Sequence, residues 1–384
     1  MTSKRKFGVG IVGLQPGRSW AAVAHLPALR ALAADFDVVG VANSSRASAE
    51  AAAAECGLPR AFASVADLVR APEVDIVTVT VKVPAHLEIV RAALDAGKHV
   101  FCEWPVGRTL DEAEALAALT RERGVLAVSG NQSRPVPAMR HLRQLVESGF
   151  VGEVLSSRIV GYGRIWGATV EDVRTDAYLL DAASGATMLT IPVAHTLAAL
   201  RDVLGDVTDV SAMLTTRRRE VRGETTAELL AMDAPDEVLI HATLSGGAPL
   251  SLHYTGGMPR GVDGFVWDIH GTEGDLRATA ETGHTQVYPL VIHGGRGDDR
   301  TLRPLEATVD APNEAAGAWR ESPVSGNVAR IYQRMAADLR HGSSSAPTFD
   351  DALTLHRLIA AVEQSARERR TIAVDAPNRP LPAI

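Results

Sequence analysis

The run Val74–Val81 (VDIVTVTV) is almost continuously apolar and β-branched. Such a run is typical of a parallel strand that is buried on both faces of its sheet, because helices cover both sides. Other short apolar runs precede and follow it, at spacings that leave room for a helix between them. The predicted strands are Phe7–Gly13, Asp37–Ala42, Val74–Val81, Lys98–Cys102 and Val125–Ser129. This alternation predicts an α/β fold with a doubly wound parallel sheet.

Helical segments separate these strands. Alanine is frequent, or apolar residues recur at helical spacing, in Trp20–Ala33, Ser48–Cys56, Val65–Val69, Ala85–Ala96 and Leu110–Arg123. Gly57 directly follows the second of these segments and suits a helix C-cap. Ligands of a doubly wound sheet bind across the carboxyl ends of its strands. Cofactor contacts are therefore expected in the loops that follow the strands.

The turn after the first strand, Gly13–Trp20, reads GLQPGRSW. In the G-x-G-x-x-G fingerprint of dinucleotide-binding sheets, the first glycine allows the tight turn and the second allows close approach of the pyrophosphate. Gly13 fits the first position, Gln15 occupies the second, and Gly17 falls one residue before the third. A helix that begins near Ser19 would point its first amides at a phosphate. The alternative is a plain βα loop of a flavodoxin-like protein. The cofactor contacts predicted here are Gly13, Leu14, Gln15, Ser19 and Trp20.

The second strand ends in Asn43-Ser44-Ser45-Arg46. Sheets that prefer NAD usually place an Asp or Glu at this point to hold the ribose hydroxyls. No carboxylate is present here to repel a 2′-phosphate, and Arg46 with two hydroxyls suits one. NADP is therefore at least as plausible as NAD. The alternative for Arg46 is a place in solvent or on the adenine.

The pattern changes after about Asn131. A helix is predicted at Ala138–Ser148, a strongly amphipathic helix at Asp350–Arg367, a long irregular segment at Gly294–Gly326 and a tail at Pro377–Pro382. The intervening β-like runs are Val154–Val160, Val207–Thr215, Glu237–Leu244, Leu250–Thr255 and Val266–His270. We predict two domains: residues 1–130, which bind the dinucleotide, and residues 131–384, an α+β domain with a large, open, mostly antiparallel sheet. The helix at 350–367 is a candidate to pack back toward the first domain.

Several segments together resemble the Gfo/Idh/MocA family of nicotinamide-dependent sugar and cyclitol oxidoreductases. They are Gly10–Leu29, Val83–Pro105, the segment leading to His195, Trp267–Leu276, Asn327–Gln333 and Asp351–Ser365. The branch that contains the fungal galactose-regulon repressor and its bacterial relatives is similar along nearly the whole chain. The resemblance implies an N-terminal Rossmann domain, an open-sheet second domain, and homodimers or homotetramers built through that sheet.

The resemblance also implies which residues carry the chemistry. Family members commonly have a Glu-Lys-Pro triplet beside the nicotinamide, with a cis peptide before the Pro, and this chain has Glu103-Trp104-Pro105. An Asp and a His four residues apart complete the usual set, and their positions here are Ile191 and His195. Only His195 remains, as the acid–base residue; the alternative is a helix histidine that is satisfied by backbone or packing. Two upstream residues are candidates for the missing acid or orienting carboxylate: Tyr178 and Asp181.

Other residues are expected to line the cofactor and substrate sides. The remaining predicted cofactor contacts are Val81, Lys82, Val83, His86, Glu103, Trp104 and Pro105. Trp104 cannot transfer a proton but could stack on the nicotinamide or on a sugar ring. With Trp104, the predicted substrate contacts are Tyr162, Arg164 and Trp166, for which ordinary packing is the alternative.

Composition narrows the classes of partner. The net charge is −7 and the densest basic cluster, Arg217–Arg219, is three residues long, so nucleic acid is not expected as a partner. The two cysteines cannot form a disulfide framework, and the 12 scattered histidines give no metal motif. No run reaches the 18 or more apolar residues of a membrane span, and the N-terminus lacks the apolar core of a signal peptide. We therefore expect a cytoplasmic protein, and the resemblance implies that its substrate is a small polyhydroxylated molecule.

Two functions from different classes remain open. The first is an NAD(P)-dependent oxidoreductase that transfers a hydride to or from a sugar, a cyclitol or a similar substrate, with redox epimerisation or oxidation-driven elimination as variants. The second is a catalytically silent dinucleotide-binding regulator or sensor that acts through a protein partner. The loss of two of the three usual catalytic residues favours the second, and the habits of the family favour the first.

Overall fold

The computed structural model describes residues 5–261, 263–306 and 322–375. Its strands are β1 Phe7–Val12, β2 Phe36–Ala42, β3 Ile76–Val79, β4 His99–Cys102, β5 Ala127–Ser129, β6 Val154–Gly163, β7 Thr169–Val170, β8 Val207–Thr215, β9 Glu220–Gly223, β10 Leu229–Ala231, β11 Glu237–Leu244, β12 Pro249–Gly256, β13 Phe265–Gly271, β14 Gly274–Ala280, β15 Val291–Arg296, β16 Arg303–Pro304 and β17 Ile372–Ala373. Its α-helices are α1 Leu26–Ala31, α2 Arg46–Cys56, α3 Val65–Arg70, α4 His86–Asp95, α5 Leu110–Arg123, α6 Pro137–Glu147, α7 Val173–Asp176, α8 Ala194–Leu204, α9 Pro323–His341 and α10 Phe349–Glu368.

The chain divides into two compact units. Within the described ranges, the first unit contains residues 5–132 and 322–353, and the second contains residues 133–261, 263–306 and 354–375. The predicted second domain begins at residue 131, whereas contact grouping places residues 322–353 with the first unit. The reason is packing: Ile331 and Met335 of α9 are buried in the same apolar cluster as Leu29 and Phe36.

The first unit is built on a five-stranded sheet in the order β2-β1-β3-β4-β5, and every pair in it is parallel. The prediction of a doubly wound parallel sheet is confirmed. The strand predicted at Val74–Val81 is shorter than expected and spans Ile76–Val79, all four residues of which are buried. The segment predicted as one helix from Trp20 begins instead with a π-helical turn, Ala21–His25, before α1.

The second unit contains a nine-stranded sheet in the order β16-β15-β14-β13-β6-β12-β11-β8-β17. Only the pair of β6 and β12 is parallel among these strands; every other pair is antiparallel. The expectation of a large, mostly antiparallel sheet is confirmed. Burial alternates along β12, where Leu250, Leu252 and Tyr254 are buried. One face therefore carries the core of this unit, as period-two patterning requires.

The segment predicted as irregular, Gly294–Gly326, is partly regular. Its first residues complete β15, Arg303–Pro304 forms β16, and α9 begins at Pro323. Residues 307–321 and the tail predicted at Pro377–Pro382 lie outside the described residues. The sequence analysis also misses β14, because GDLRATA combines small and charged residues and gains its strand structure from its neighbours.

Candidate functional site

The strand order of the first unit reverses direction between β1 and β3, and this switch point is where open α/β sheets bind ligands. Gly13 ends β1 there with φ +99°, a left-handed conformation that favours glycine. A Cβ on Gly13 would lie 2.7 Å from Cγ1 of Val81, after β3. The hydroxyl of Thr80 donates to Val12 O at 2.9 Å, which ties the two strand ends together. Gly13 is therefore required for the tight turn, as the sequence predicts.

Asn43 does not present its carboxamide to a ribose. Its Oδ1 accepts from Leu14 N at 2.9 Å, and its Nδ2 donates to Leu14 O at 2.9 Å and to Ser48 O at 3.1 Å. These bonds occupy Asn43 and the backbone of Leu14 together. The pair therefore shapes the turn, and the contacts of Asn43 and Leu14 with a cofactor remain predictions.

The exposed part of the turn is closed by hydrogen bonds between Gln15 and Ser19, and it carries positive charge. Gln15 N donates to Ser19 Oγ at 2.8 Å, and that hydroxyl donates to Gln15 O at 2.9 Å. Arg18 is exposed beside them, and Lys82 is exposed after β3. Nε1 of Trp20 is buried and has no hydrogen-bond partner among the described residues. A glycine-requiring turn with cationic side chains and an unused donor fits the phosphates of a dinucleotide.

The residues after β2 form the N-terminal end of α2. Ser45 is the N-cap, and its Oγ accepts from Ser48 N at 3.2 Å. Arg46 donates from Nε to Glu50 at 2.8 Å, with both side chains largely exposed. Ser44 is exposed. An exposed pair with i, i+4 spacing is a weak restraint, so Arg46 remains within the reach of a competing phosphate.

His86 has a different role from the predicted one. It is 1% exposed, and its ring nitrogens face two carbonyl groups: Nδ1 lies 2.8 Å from Pro105 O and Nε2 lies 2.9 Å from Val81 O. Burial lowers the pKa of His86, so the neutral ring is favoured. Because both nitrogens are occupied within the protein, His86 links the loops after β3 and β4 and does not bind the cofactor through its ring. Val83 is likewise buried.

In the triplet after β4, the carboxylate of Glu103 is hydrogen-bonded and the side chain of Trp104 is buried. The Trp104–Pro105 peptide is cis, and Trp104 is 6% exposed. Oε1 of Glu103 lies 2.7 Å from His25 Nε2, and Oε2 accepts from Gln132 Nε2 at 2.7 Å. A Cβ on Gly130 would lie 2.8 Å from the carboxyl atoms of Glu103.

The hydrogen-bond partners of Glu103 were not predicted from the sequence. His25 Nδ1 lies 2.9 Å from the hydroxyl of Tyr332, which lies 2.8 Å from Thr78 Oγ1. Tyr332 is on α9, in the segment Asn327–Gln333 that the resemblance singles out. The signal available in the sequence was that resemblance, but it did not identify the partner.

In the second unit, His195 lies in the first turn of α8. The π-helical turn Leu189–Val193, which contains Ile191 and Pro192, leads into this helix. The carbonyl of His195 accepts from Ser133 Oγ at 2.6 Å, and the side-chain Nδ1 is buried with no partner among the described residues. Burial, with a smaller contribution from His284, lowers the pKa of His195 to about 3.

His284 and Thr285 also belong to this region, and neither was predicted from the sequence as a site residue. Nε2 of His284 and Oγ1 of Thr285 are buried, and neither has a partner within the described ranges. The His284 ring stacks on Trp166 with 6.3 Å between centroids and 7° between planes. Burial, aided by Arg164, lowers the pKa of His284 to about 4.

The other predicted residues of this unit have structural roles. Asp181 is exposed, and its carboxylate accepts from Ala183 N at 2.8 Å, so it caps a short 3₁₀ turn. Burial, with a contribution from Asp176, raises the pKa of Tyr178 to about 12, so the phenol keeps its proton near neutral pH. The catalytic roles predicted for Tyr178 and Asp181 remain predictions.

The three predicted substrate contacts of this unit differ in their surroundings. Trp166 is fully buried, and its Nε1 donates to Leu179 O at 2.8 Å, so its indole N–H is not available to a substrate. Strand alternation places Tyr162 on the face opposite Gly161, whose Cβ position would contact the Tyr254 ring. Arg164 donates to the hydroxyl of Tyr288 at 3.0 Å and pairs with Glu171. Of the three, Arg164 is the residue whose charge helps to lower the pKa of His284.

Two classes of site have no support in the described part of the chain. Across residues 5–261, 263–306 and 322–375, no group of three or more His, Cys, Asp or Glu side chains is arranged to hold a metal ion. No α-helix in those ranges combines the length and apolarity that a bilayer crossing needs.

The first unit, with a glycine turn at the switch point of a parallel sheet, has the architecture of the dinucleotide-binding Rossmann class; the second adds a broad antiparallel sheet. Residues 7–131 match the model of the oxidoreductase family with the NAD-binding Rossmann fold, and residues 137–280 match the model of the Gal80p C-terminal domain. The first part of the chain is thus similar to the oxidoreductase family with the NAD-binding Rossmann fold, and the second part is similar to the C-terminal domain of Gal80p. The resemblance found in the sequence is confirmed.

Individual relatives include regulators and enzymes. The galactose/lactose metabolism regulatory protein GAL80 of Saccharomyces cerevisiae is 27% identical over 95% of this chain and 94% of its own length. A crystal structure of a super-repressor mutant of Gal80p from the same yeast has a TM-score of 0.86, with 25% identity over 96% of this chain and 98% of that one. The dehydrogenase aclE of Aspergillus oryzae is 28% identical over 94% and 96%. The 1,5-anhydro-D-fructose reductase of Ensifer adhaerens is 28% identical over 76% and 81%.

Proposed function

We propose that this protein is an NAD(P)-dependent oxidoreductase that oxidises a hydroxyl group, or reduces the matching carbonyl, on a sugar, cyclitol or similar molecule. The first unit binds the dinucleotide through the turn after Gly13 and the ends of β3 and β4. The second unit binds the substrate through His195 and His284. The relatives that are named as a dehydrogenase and as a sugar reductase support this class of reaction.

The observation that carries the proposal is the cluster of unused polar atoms in the second unit. The buried atoms of this unit that have no partner among the described residues include Nδ1 of His195, Nε2 of His284 and Oγ1 of Thr285. Each unpaired buried polar group costs about 1–3 kcal/mol, and native proteins retain such groups mainly where a ligand or water completes them. A ligand rich in hydroxyl groups supplies both donors and acceptors to these atoms.

The chemistry follows from the neutral state of His195. Because burial lowers its pKa to about 3, the imidazole is unprotonated at neutral pH and Nδ1 can accept a hydrogen bond from a substrate hydroxyl. In the oxidation direction, hydride loss turns the substrate hydroxyl into the O–H of a protonated carbonyl, which is acidic enough for a base of low pKa, so its proton passes to His195 as the carbonyl forms. The nicotinamide, when bound, supplies the hydride acceptor. His284 would hold the oxygen or a neighbouring hydroxyl, which compensates in part for Trp104 and Ile191 at the usual Lys and Asp positions.

An absorbance screen tests the proposal. The purified protein is incubated with NAD or NADP and a panel of sugars and cyclitols, and with the reduced cofactors and the matching carbonyls. We expect a cofactor-dependent absorbance change with at least one substrate, and a loss of about a hundredfold or more in kcat for His195→Gln. His241→Gln is the matched control, because His241 is exposed on β11. Full activity in His195→Gln would remove His195 from the reaction.

A regulator or sensor is the second candidate. Trp104 and Ile191 at two usual catalytic positions favour it, together with the likeness to regulatory protein GAL80 along nearly the whole chain. This candidate predicts that NADH or NADPH binds, that no substrate of the panel gives a product by mass spectrometry, and that binding is unaffected by His195→Gln.

We also infer that the protein forms a homodimer or homotetramer through its nine-stranded sheet. Val160 on β6 and Met213 on β8 are apolar and exposed, at 37% and 55%. Light scattering on the purified chain tests this inference. A monomer at micromolar concentration would contradict it.

A further inference from the structure

Five side chains of the first unit form one continuous hydrogen-bonded series. Thr78 Oγ1 lies 2.8 Å from the hydroxyl of Tyr332, and that hydroxyl lies 2.9 Å from His25 Nδ1. His25 Nε2 lies 2.7 Å from Glu103 Oε1, and Gln132 donates to Glu103 Oε2 at 2.7 Å. The series begins inside the sheet at β3 and ends at the carboxyl end of β4, where the sheet is expected to hold its ligand.

We propose that Tyr332, acting through His25, is a positioning residue that fixes the Glu103 carboxylate for hydrogen bonding to a dinucleotide. This inference rests on the proposed binding of a dinucleotide by the first unit and goes further, because it assigns a task to α9. The donors that Glu103 would receive are of the kind present on the cofactor, such as ribose hydroxyls and a carboxamide N–H.

Burial makes the series a fixed element of the interior. Thr78, His25 and Tyr332 are each 0% exposed, whereas the side chain of Glu103 is 14% exposed. Tyr332 is held by aromatic packing as well: its ring centroid lies 4.6 Å from that of Phe101. The inner three groups therefore cannot exchange partners with water. Glu103 is the member through which the series can meet a ligand.

The direction of each proton follows from donor and acceptor rules. An ionised Glu103 only accepts, so the nitrogen that faces it, His25 Nε2, carries a proton. In a neutral ring Nδ1 is then an acceptor, so Tyr332 donates its hydroxyl proton to Nδ1 and Thr78 donates to Tyr332. Burial raises the pKa of Tyr332, which keeps that proton in place. The tyrosine hydroxyl thus selects the ring tautomer that donates to Glu103.

Glu103 keeps accepting capacity for a ligand. A carboxylate has about four lone-pair sites, and its two contacts in this series are His25 on Oε1 and Gln132 on Oε2. Gly130 leaves the space in which the carboxyl group sits, since a Cβ there would lie 2.8 Å from Oε1 and Oε2. The carboxylate is therefore fixed by two hydrogen bonds, and it keeps lone pairs that can accept from a ligand.

Tyr332→Phe tests the proposal, because it removes only the hydroxyl and keeps the ring packing. The first measurement is nitrogen-15 NMR of the histidine rings in the apo protein. We expect His25 to be protonated at Nε2 in the wild type, and its Nδ1 resonance to move downfield in Tyr332→Phe as the hydrogen bond to it is lost. A wild-type ring protonated at Nδ1 alone would overturn the proposed direction.

The second measurement is NADH affinity by fluorescence titration. We expect the Kd to rise about three- to tenfold in Tyr332→Phe, and to rise at least as much in Glu103→Gln, in keeping with the loss of one or two hydrogen bonds. Tyr254→Phe is the matched control: it removes another buried hydroxyl, 2.7 Å from Thr196 Oγ1 in the second unit. The control should bind NADH as the wild type does.

The outcomes separate this inference from the proposed function. If Glu103→Gln weakens NADH binding but Tyr332→Phe stays within twofold of the wild type, the positioning role of Tyr332 is wrong and dinucleotide binding stands. If the wild type binds neither NADH nor NADPH, both proposals fail. An equal loss of affinity in Tyr332→Phe and Tyr254→Phe would indicate a general effect on folding and would also overturn the positioning role.

Discussion

Asn43 and Leu14 are hydrogen-bonded in both directions, with Leu14 N donating to Asn43 Oδ1 and Asn43 Nδ2 donating to Leu14 O, each at 2.9 Å. The side chain at the end of β2 therefore substitutes for a backbone strand partner beside the turn after β1. At the position where an acidic residue would hold a ribose in an NAD-preferring sheet, this chain uses a carboxamide to shape the turn itself.

Replacing Asn43 by Ala should lower both stability and cofactor affinity. The variant leaves the amide and carbonyl of Leu14 without their side-chain partners, so we expect a loss of about 1–3 kcal/mol in the free energy of unfolding. Urea unfolding and NADH titration measure the two effects. Ser44→Ala, an exposed neighbour, should change stability by no more than about 0.5 kcal/mol. An Asn43→Ala variant as stable as the wild type would show that the two bonds carry no weight.

Cofactor choice should depend on Arg46 and Glu50. Arg46 is paired with Glu50 across an exposed helix turn, and such a pair is only a weak restraint. We therefore expect Arg46→Ala to weaken NADP binding about tenfold while the Kd for NAD stays within twofold. Glu50→Gln frees Arg46 and should strengthen NADP binding by up to about threefold. Titrations with both cofactors decide this, and equal losses for NAD and NADP in Arg46→Ala would exclude a 2′-phosphate contact.

Thr285→Val should stabilise the free protein and impair its function. The hydroxyl of Thr285 is buried without a partner among the described residues, so an isosteric methyl group removes an unpaired polar atom at almost constant volume. We expect the free energy of unfolding to stay unchanged or to rise by about 1 kcal/mol, while substrate affinity falls. Thermal unfolding and steady-state kinetics measure the two quantities. Thr190→Val is the control, because Thr190 Oγ1 donates to Gly185 O at 2.8 Å and its loss should destabilise.

Two buried histidines should make the protein less stable in acid. The pKa values of His195 and His284 are lowered in the folded state, to about 3 and about 4, mainly by burial. An unfolded histidine has a pKa of about 6.5. Between pH 6.5 and 4 the unfolded chain therefore binds protons that the folded chain does not. Each histidine then lowers the free energy of unfolding by up to about 1.4 kcal/mol per pH unit as the pH falls. Above pH 7 neither contributes.

Urea unfolding at pH 7 and pH 5 measures that slope. His195→Gln should reduce the loss of stability on acidification, because glutamine does not titrate. His241→Gln, at an exposed histidine on β11, should leave the slope unchanged. An identical slope in the wild type and His195→Gln would mean that His195 titrates normally in the folded protein.

The parallel sheet was predictable because its information is local. Each strand of the first unit is an apolar run bounded by glycine or polar residues, and helix signals such as the left-handed cap at Gly57, φ +61°, lie within a few residues of the elements they end. The turn at Gly13 belongs to the same class, since the positive φ and the approach of Val81 exclude a side chain. The membership of α9 in this unit was not predictable, because it depends on packing against residues from the other end of the chain.

The sequence by itself determined the two kinds of sheet, the glycine turn at the switch point, and the presence of Glu103 and His195 at family positions. Only the tertiary structure decided what these residues touch. His25 is 78 residues from Glu103 and 307 residues from Tyr332, and the burial that lowers the pKa of His195 likewise comes from distant parts of the chain. Local propensity follows from neighbouring residues, whereas burial, tautomer and pKa follow from whichever distant groups the fold brings within hydrogen-bonding distance. For that reason the position of the candidate site could be predicted, and the state of its imidazoles and carboxylate could not.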